Sequence, residues 1–183
     1  MEHYYQNIHG WFNFDQLYSE MVNGFPSGSH FVEVGCWLGR SACFLGVEIV
    51  NSGKEIKLDC IDTWIGNVPE LAEEEVVKTG TLYADFLKNV EPLRGIITPI
   101  KMLSVEAAKL YDDGSLDFVF IDADHTKEGI AGDLKSWYPK IKVGGVLAGH
   151  DYDYPQITEA LKSFFEGKRY EVIPPNTWVH YKK

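Results

Sequence analysis

Phe31-Val-Glu-Val-Gly-Cys-Trp-Leu-Gly-Arg-Ser41 reads as a short apolar strand that ends at Gly35, turns at Gly39 and enters a helix near Ser41. A glycine-bearing turn between a strand and a helix N-terminus lets a ligand approach bare backbone. Glu33 sits inside the otherwise apolar strand, where a carboxylate is costly unless something pairs with it. The glycine spacing is G-x-x-x-G, not the G-x-G-x-x-G expected around a dinucleotide pyrophosphate. Such a turn, with an acid inside the strand, suits a ligand with a positive charge and few phosphates.

The pattern on either side places this turn in a larger scheme. Upstream, Phe14, Leu17, Tyr18, Met21, Val22 and Phe25 fall at helical spacing, closed by Gly24 and Pro26, so residues 1–28 form an N-terminal helical segment. Downstream, Ser41–Val50 predicts a helix, Ile56–Ile61 a strand running into Asp62, and Leu82–Val90 a helix. Ile96–Met102 reads as a strand, Val105–Tyr111 as a short helix, and Leu116–Ile121 as an apolar strand running into Asp122, with Asp117 its polar exception. Ile130, Leu134, Trp137 and Tyr138 mark the next helix. Val143–Ala148 is a strand entered through Gly144-Gly145, and Pro155 opens a helix. Tyr170–Ile173 and Thr177–Tyr181 form a hairpin around Pro174-Pro-Asn176. Strands alternating with helices predict an α/β, Rossmann-like doubly wound sheet, mostly parallel with a C-terminal antiparallel hairpin and helices on both faces. Residues 1–183 fit one domain. Residues 65–80, with Pro69 and Glu73-Glu-Glu75, fit a lid, although a solvated helix face is the preferred reading of the acidic run.

Composition narrows the class. A net charge of -10 argues against a nucleic-acid backbone or an anionic membrane as main partner. The three cysteines, Cys36, Cys43 and Cys60, include no C-x-x-C pair and suit a reduced, cytoplasmic setting. No apolar stretch approaches the ~18 residues of a membrane span.

Parallel sheets bind ligands at the carboxyl ends of their strands. The polar residues at those ends are Glu33, Asp62, Ser104, Asp122, Asp124, His125, His150 and Asp151, a concentration of acids and histidines on one rim. Asp62 is placed to accept hydrogen bonds from ribose hydroxyls, with a helix cap as the alternative. Trp64 stacks on a ring or belongs to the core. Ser104 approaches an adenine or serves as a plain N-cap. Glu33 would attract the ammonium or sulfonium end of a ligand such as S-adenosylmethionine, or pair with a backbone donor as a buried acid. Asp133 is most simply a surface residue, with an inward supporting role as the alternative.

The segment E-V-G-C-W-L-G-R-S at 33–41, with I-D-T-W at 61–64, resembles the first two motifs of class I S-adenosylmethionine-dependent methyltransferases. F-I-D-A-D-H at 120–125 and G-G-V-L-A-G-H-D-Y at 144–152 resemble the metal-dependent small-molecule O-methyltransferases of the catechol, caffeoyl-CoA and macrolide-sugar type. The resemblance implies S-adenosylmethionine held around Glu33, Gly35, Gly39, Ser41, Asp62, Trp64, Ser104 and Asp122. It also implies Mg²⁺ or Mn²⁺ on Asp122 and Asp151. Catechol-type relatives carry Asn where this chain has Tyr152, and macrolide-sugar relatives an acid where it has His150. His150 is therefore either a third ligand, adding nitrogen to an oxygen set, or a pocket wall. At the motif position of His125 the macrolide-sugar type has its general base, which points to His125 as catalytic base; a helix-capping histidine is the alternative. The acceptor implied is a hydroxylated small molecule. Tyr4, Tyr5, Trp11 and Phe12 form another pocket wall or a homodimer contact. Two other readings are a nicotinamide-dependent oxidoreductase and a non-catalytic S-adenosylmethionine-binding protein.

Overall fold

Seven short runs rich in β-branched and aromatic residues build one sheet in the computed structural model, which describes residues 1–66 and 74–183. The strands are β1 (His30–Val34), β2 (Lys57–Asp62), β3 (Ile97–Lys101), β4 (Leu116–Ile121), β5 (Ile141–Gly149), β6 (Glu171–Ile173) and β7 (Thr177–Tyr181). Their order is β3-β2-β1-β4-β5-β7-β6. The first five are parallel, and β7 runs antiparallel to both β5 and β6. The doubly wound sheet with a terminal hairpin is as the sequence predicts. Of the expected lid at 65–80, residues 67–73 lie outside the described residues.

Helices cover both faces because strand side chains alternate. Phe31, Phe118 and Phe120 face α1 (Asp15–Gly24) and α2 (Arg40–Ser52). Between β2 and β3 lie a single turn, α3 (Glu75–Lys78), and α4 (Leu82–Val90), whose Leu82 and Phe86 join that core. Val32, Val34, Val119 and Ile121 face α5 (Ser104–Ala107), α6 (Lys127–Trp137) and α7 (Pro155–Phe164) on the other side. The helix expected over 105–111 is α5 followed by a 3-10 turn at Ala108–Leu110. The strand expected from Val143 begins at Ile141, because Gly144-Gly145 lies inside β5 beside a register shift against β4. Asp117 is tolerated in β4 because its carboxylate accepts from the His30 amide at 2.8 Å and from Lys142 Nζ. No helix among the described residues is long and apolar enough to cross a membrane.

The register decides what meets on the rim. Val34 is paired with Ile61 on one side and Ile121 on the other, and Ile121 with Gly149. Gly35, Asp62, Asp122 and His150 therefore leave the sheet side by side. Gly35 has φ +86, and a Cβ added there would lie 1.9 Å from the Asp122 carbonyl oxygen. The glycine's missing side chain is thus occupied by protein backbone, where the sequence reading left it bare for a ligand.

Gly35→Ala and Gly53→Ala separate the two demands. Both glycines have positive φ, but nothing lies within 4 Å of a Cβ at Gly53. Gly53→Ala is expected to lose about 1 kcal/mol by urea unfolding, and Gly35→Ala roughly 3 kcal/mol or more.

Candidate active site

The turn after β1 is shaped by one carboxylate. Asp62 Oδ2 accepts the amides of Cys36 and Trp37 at 2.9 and 3.0 Å, and Oδ1 accepts that of Trp64 at 2.8 Å. Burial raises the Asp62 carboxyl above its ordinary 3.8 despite these amides, which pull the other way. Gly39 serves as the left-handed N-cap of α2, and a Cβ there would press on Phe86 and Val90. Trp64 is buried, packs on Tyr83 and Phe86, and donates from Nε1 to the Trp37 carbonyl at 2.9 Å. It is a core tryptophan and offers no free face for stacking.

Glu33 is buried beneath this turn. Its carboxylate accepts from Tyr18 of α1 at 3.0 Å and from Ser41 of α2 at 2.7 Å. Burial pushes its pKa up to about 8, even though both hydroxyls favour the charged form. The acid in the strand is thus paired with side chains of two covering helices. Ser104 points elsewhere than expected. Its hydroxyl hydrogen-bonds Asp133 Oδ1 and accepts from Trp137 Nε1 at 2.9 Å, which ties α5 to α6. It neither caps its helix nor keeps a donor for an adenine. Asp133, simplest to read as a surface residue, is buried, and burial raises its carboxyl to about 6.

At the ends of β4 and β5 four side chains converge. His125 Nε2 lies 2.9 Å from Asp151 Oδ2 and 4.0 Å from Asp122 Oδ1. His150 Nδ1 lies 3.0 Å from Asp151 Oδ1 and 3.8 Å from Asp122 Oδ1. Asp151 therefore presents one oxygen to each imidazole, from a backbone held at φ 58. Asp122, then Asp151, raise the His125 pKa to about 10. Burial works against ionisation of Asp151, yet His125 and His150 hold its carboxyl well below the usual range. Asp124 accepts from the Thr126 amide, and Thr126 caps α6, so neither Asp124 nor His125 is the helix cap.

This donor set fits a divalent cation. Asp122, His125 and Asp151 offer ligand atoms within 4.8 Å of one another, and His150 adds a second imidazole against the same carboxylates. Such a mixture of oxygen and imidazole suits Mn²⁺ or Fe²⁺ as well as Mg²⁺. The sequence reading missed Asn13, whose Oδ1 lies 2.8 Å from His150 Nε2. Its position between aromatic residues in W-F-N-F-D gave no sign of a partner so far along the chain. Tyr5 and Phe12 pack on Phe44 in the core, and Trp11 remains 64% exposed.

Residues 32–152 match the family model described as a methyltransferase domain. No curated protein matches the chain. Among solved structures, it is similar to the O-methyltransferase NovP, at 16% identity and a TM-score of 0.71, over 92% of this chain and 79% of that one. It is also similar to a Clostridium thermocellum protein described provisionally as an rRNA methylase, at 16% identity and a TM-score of 0.67, over 96% and 100% of the two chains. A third is CalS11, a TDP-rhamnose 3'-O-methyltransferase of calicheamicin biosynthesis, at 14% identity and a TM-score of 0.60, over 91% and 76%. At these identities the likeness is one of fold.

Glu33 gives the free protein a pH signature. An unfolded carboxyl titrates near 4.5 and the folded one at about 8. Between those values the folded state holds a proton that the unfolded chain has lost, so stability falls as pH rises through this window. The loss is on the order of 4 kcal/mol. Urea unfolding from pH 4.5 to 8.5 is expected to show the decline in the wild type and a shallower one in Glu33→Gln, where Asp133 and His125, both raised in the folded state, still lose stability as pH rises.

Proposed function

This chain belongs to the methyltransferase domain family, and from that premise we propose that it transfers a methyl group from S-adenosylmethionine to a hydroxyl of a small molecule such as a sugar or catechol, assisted by a divalent cation. The observation that carries the reading is the meeting of Asp122, His125, His150 and Asp151 beside the Gly35 turn. A nucleoside-type cofactor would lie along the turn Gly35–Gly39 and the first residue pair of α2. Asp62, already fixed by three amides, would accept the ribose hydroxyls with its remaining lone pairs. Glu33, which holds its proton up to about 8, would brace the turn from beneath through Tyr18 and Ser41 rather than supply the charge expected of it for the sulfonium end. Trp64 and Ser104 drop out of the proposed cofactor set, since their polar atoms are already engaged.

Asp122 and Asp151 would hold the cation, with an imidazole nitrogen as third protein ligand. When bound, the cation supplies positive charge that lowers the pKa of a nearby hydroxyl. His125 is 26% exposed at its side chain and stands over Tyr154 with ring centroids 5.2 Å apart, so it can meet an acceptor entering from solvent. Asp122 and Asp151 keep it protonated in the free protein; with those carboxylates engaged by a cation it would give up that proton and then take the acceptor's, as the oxygen attacks the sulfonium methyl in line, the S–CH3 bond breaks and S-adenosylhomocysteine leaves. Holding the two reactants in line contributes on the order of 7–11 kcal/mol. An acidic chain of net charge -10 supports a small acceptor over RNA. The exposed Trp11 suits an acceptor ring or a second copy of the chain.

Calorimetric titration tests the reading. S-adenosylmethionine and S-adenosylhomocysteine are expected to bind and NAD to give no heat; absence of binding by the first two sinks the proposal. Asp62→Ala is expected to weaken cofactor binding first. Asp122→Ala is expected to abolish cation-dependent turnover and leave cofactor affinity within a few-fold. His125→Gln is expected to lower kcat about 10²–10⁴-fold with little change in cofactor affinity.

A further inference from the structure

Two imidazoles compete for one place in the cation site. His125 forms the compact group with Asp122 and Asp151, all within 4.8 Å of one another, and His150 Nδ1 stands 3.8 and 3.0 Å from the same two carboxylates. Orientation separates the two rings. A ligating imidazole is held by a hydrogen bond on its other nitrogen, which fixes ring and tautomer. His125 has no such bond: its Nδ1 is buried without a partner among the described residues. His150 has one, at the end of a directed chain. Asn176 Nδ2 donates to Asp153 Oδ1 at 3.0 Å. Asn13 Nδ2 donates to Asn176 Oδ1 at 3.3 Å, and Asn13 Oδ1 faces His150 Nε2 at 2.8 Å.

The direction of this chain is dictated by its far end. A carboxylate only accepts, so Asn176 turns its NH₂ to Asp153 and its oxygen to Asn13. Asn13 must then offer its NH₂ to Asn176 and its oxygen to His150. Nε2 of His150 therefore keeps a proton toward Asn13, while Nδ1, 3.0 Å from Asp151 Oδ1, donates to that carboxylate in the free protein and would turn a lone pair to a cation held by Asp122 and Asp151. The ring is further clamped by Phe14, with centroids 5.1 Å apart, and His150 is only 8% exposed.

We infer that Asn13 and Asn176 are positioning residues that hold His150 as the Nε2–H tautomer, so that His150 Nδ1 is the nitrogen ligand beside Asp122 and Asp151 and His125 is left free to move the proton. The inference rests on the cation-assisted reading above. It gives this chain a mixed nitrogen–oxygen site, which favours Mn²⁺ or Fe²⁺ over Mg²⁺. The orienting groups come from segments far apart in the chain: Asn13 precedes α1, and Asn176 lies in the turn between β6 and β7.

The test is Mn²⁺ binding, followed by calorimetry and by pulsed electron paramagnetic resonance for nitrogen coupling to the bound ion. The wild type is expected to bind Mn²⁺ more tightly than Mg²⁺ and to show ¹⁴N coupling that persists in His125→Gln and disappears in His150→Gln. Asn13→Leu is expected to weaken Mn²⁺ binding about 10–100-fold. Asn176→Leu breaks the same chain one link further out and should weaken it in the same direction, so a folding defect in one variant does not decide the matter. Asn13→Asp keeps an oxygen opposite Nε2 and should retain the affinity and the coupling. Coupling that follows His125, or Mn²⁺ affinity unchanged in both leucine variants, overturns the inference and leaves cation assistance standing. A wild type that binds neither Mn²⁺ nor Mg²⁺ overturns both.

Discussion

The contact on which the rim depends is the one between Gly35 and the backbone of Asp122. The end of β1 is stitched to both neighbours: Gly35 N–H donates to Ile61, and Val34 accepts from the Asp122 amide, each at 2.8 Å. With a carbonyl oxygen standing where a Cβ would be, the β1 turn and the β4 loop have no freedom to part. The turn that Asp62 shapes and the loop that carries Asp122 and His125 are therefore one rigid corner. Strain collects around it. The non-glycine residues with left-handed φ among those described are Trp37, Trp64 and Asp151, at the ends of β1, β2 and β5. Bulky residues rarely adopt that conformation, and it persists only where surroundings impose it. Here the Asp62 carboxylate imposes it on both tryptophans through their amides.

Much of this was legible in the sequence because it is periodic or local. β4 at Leu116–Ile121, α4 at Leu82–Val90 and β7 at Thr177–Tyr181 announce themselves by runs and spacing, and the observed bounds coincide with those read. The rim list followed from the rule that parallel strands point their carboxyl ends at the ligand. Asp122, His125, His150 and Asp151, named as neighbours in that list, do stand within ion-pairing distance.

What stayed hidden depends on partners far apart in the chain. Ser104 and Asp133 each had a plain local reading, and their mutual bond spans 29 residues. Gly35 showed a need for unusual backbone but not that Asp122 would fill its side-chain space, because that requires knowing which strand lies beside β1. Trp64 could be core or platform until the packing of α4 was known. Asn13 and Asn176 carried no pattern at all. An amide beside aromatics and an amide in a Pro-Pro turn become meaningful only when the fold brings them together.

That meeting has a consequence in time. The family-matched span, residues 32–152, already contains both carboxylates and both imidazoles. Asn13 precedes it, and Asn176 follows it, across a separation of 163 residues. A ribosome releases Asn13 before these four groups and Asn176, in the turn between β6 and β7, after them, so the amide chain that we infer orients His150 closes only once that turn has been made.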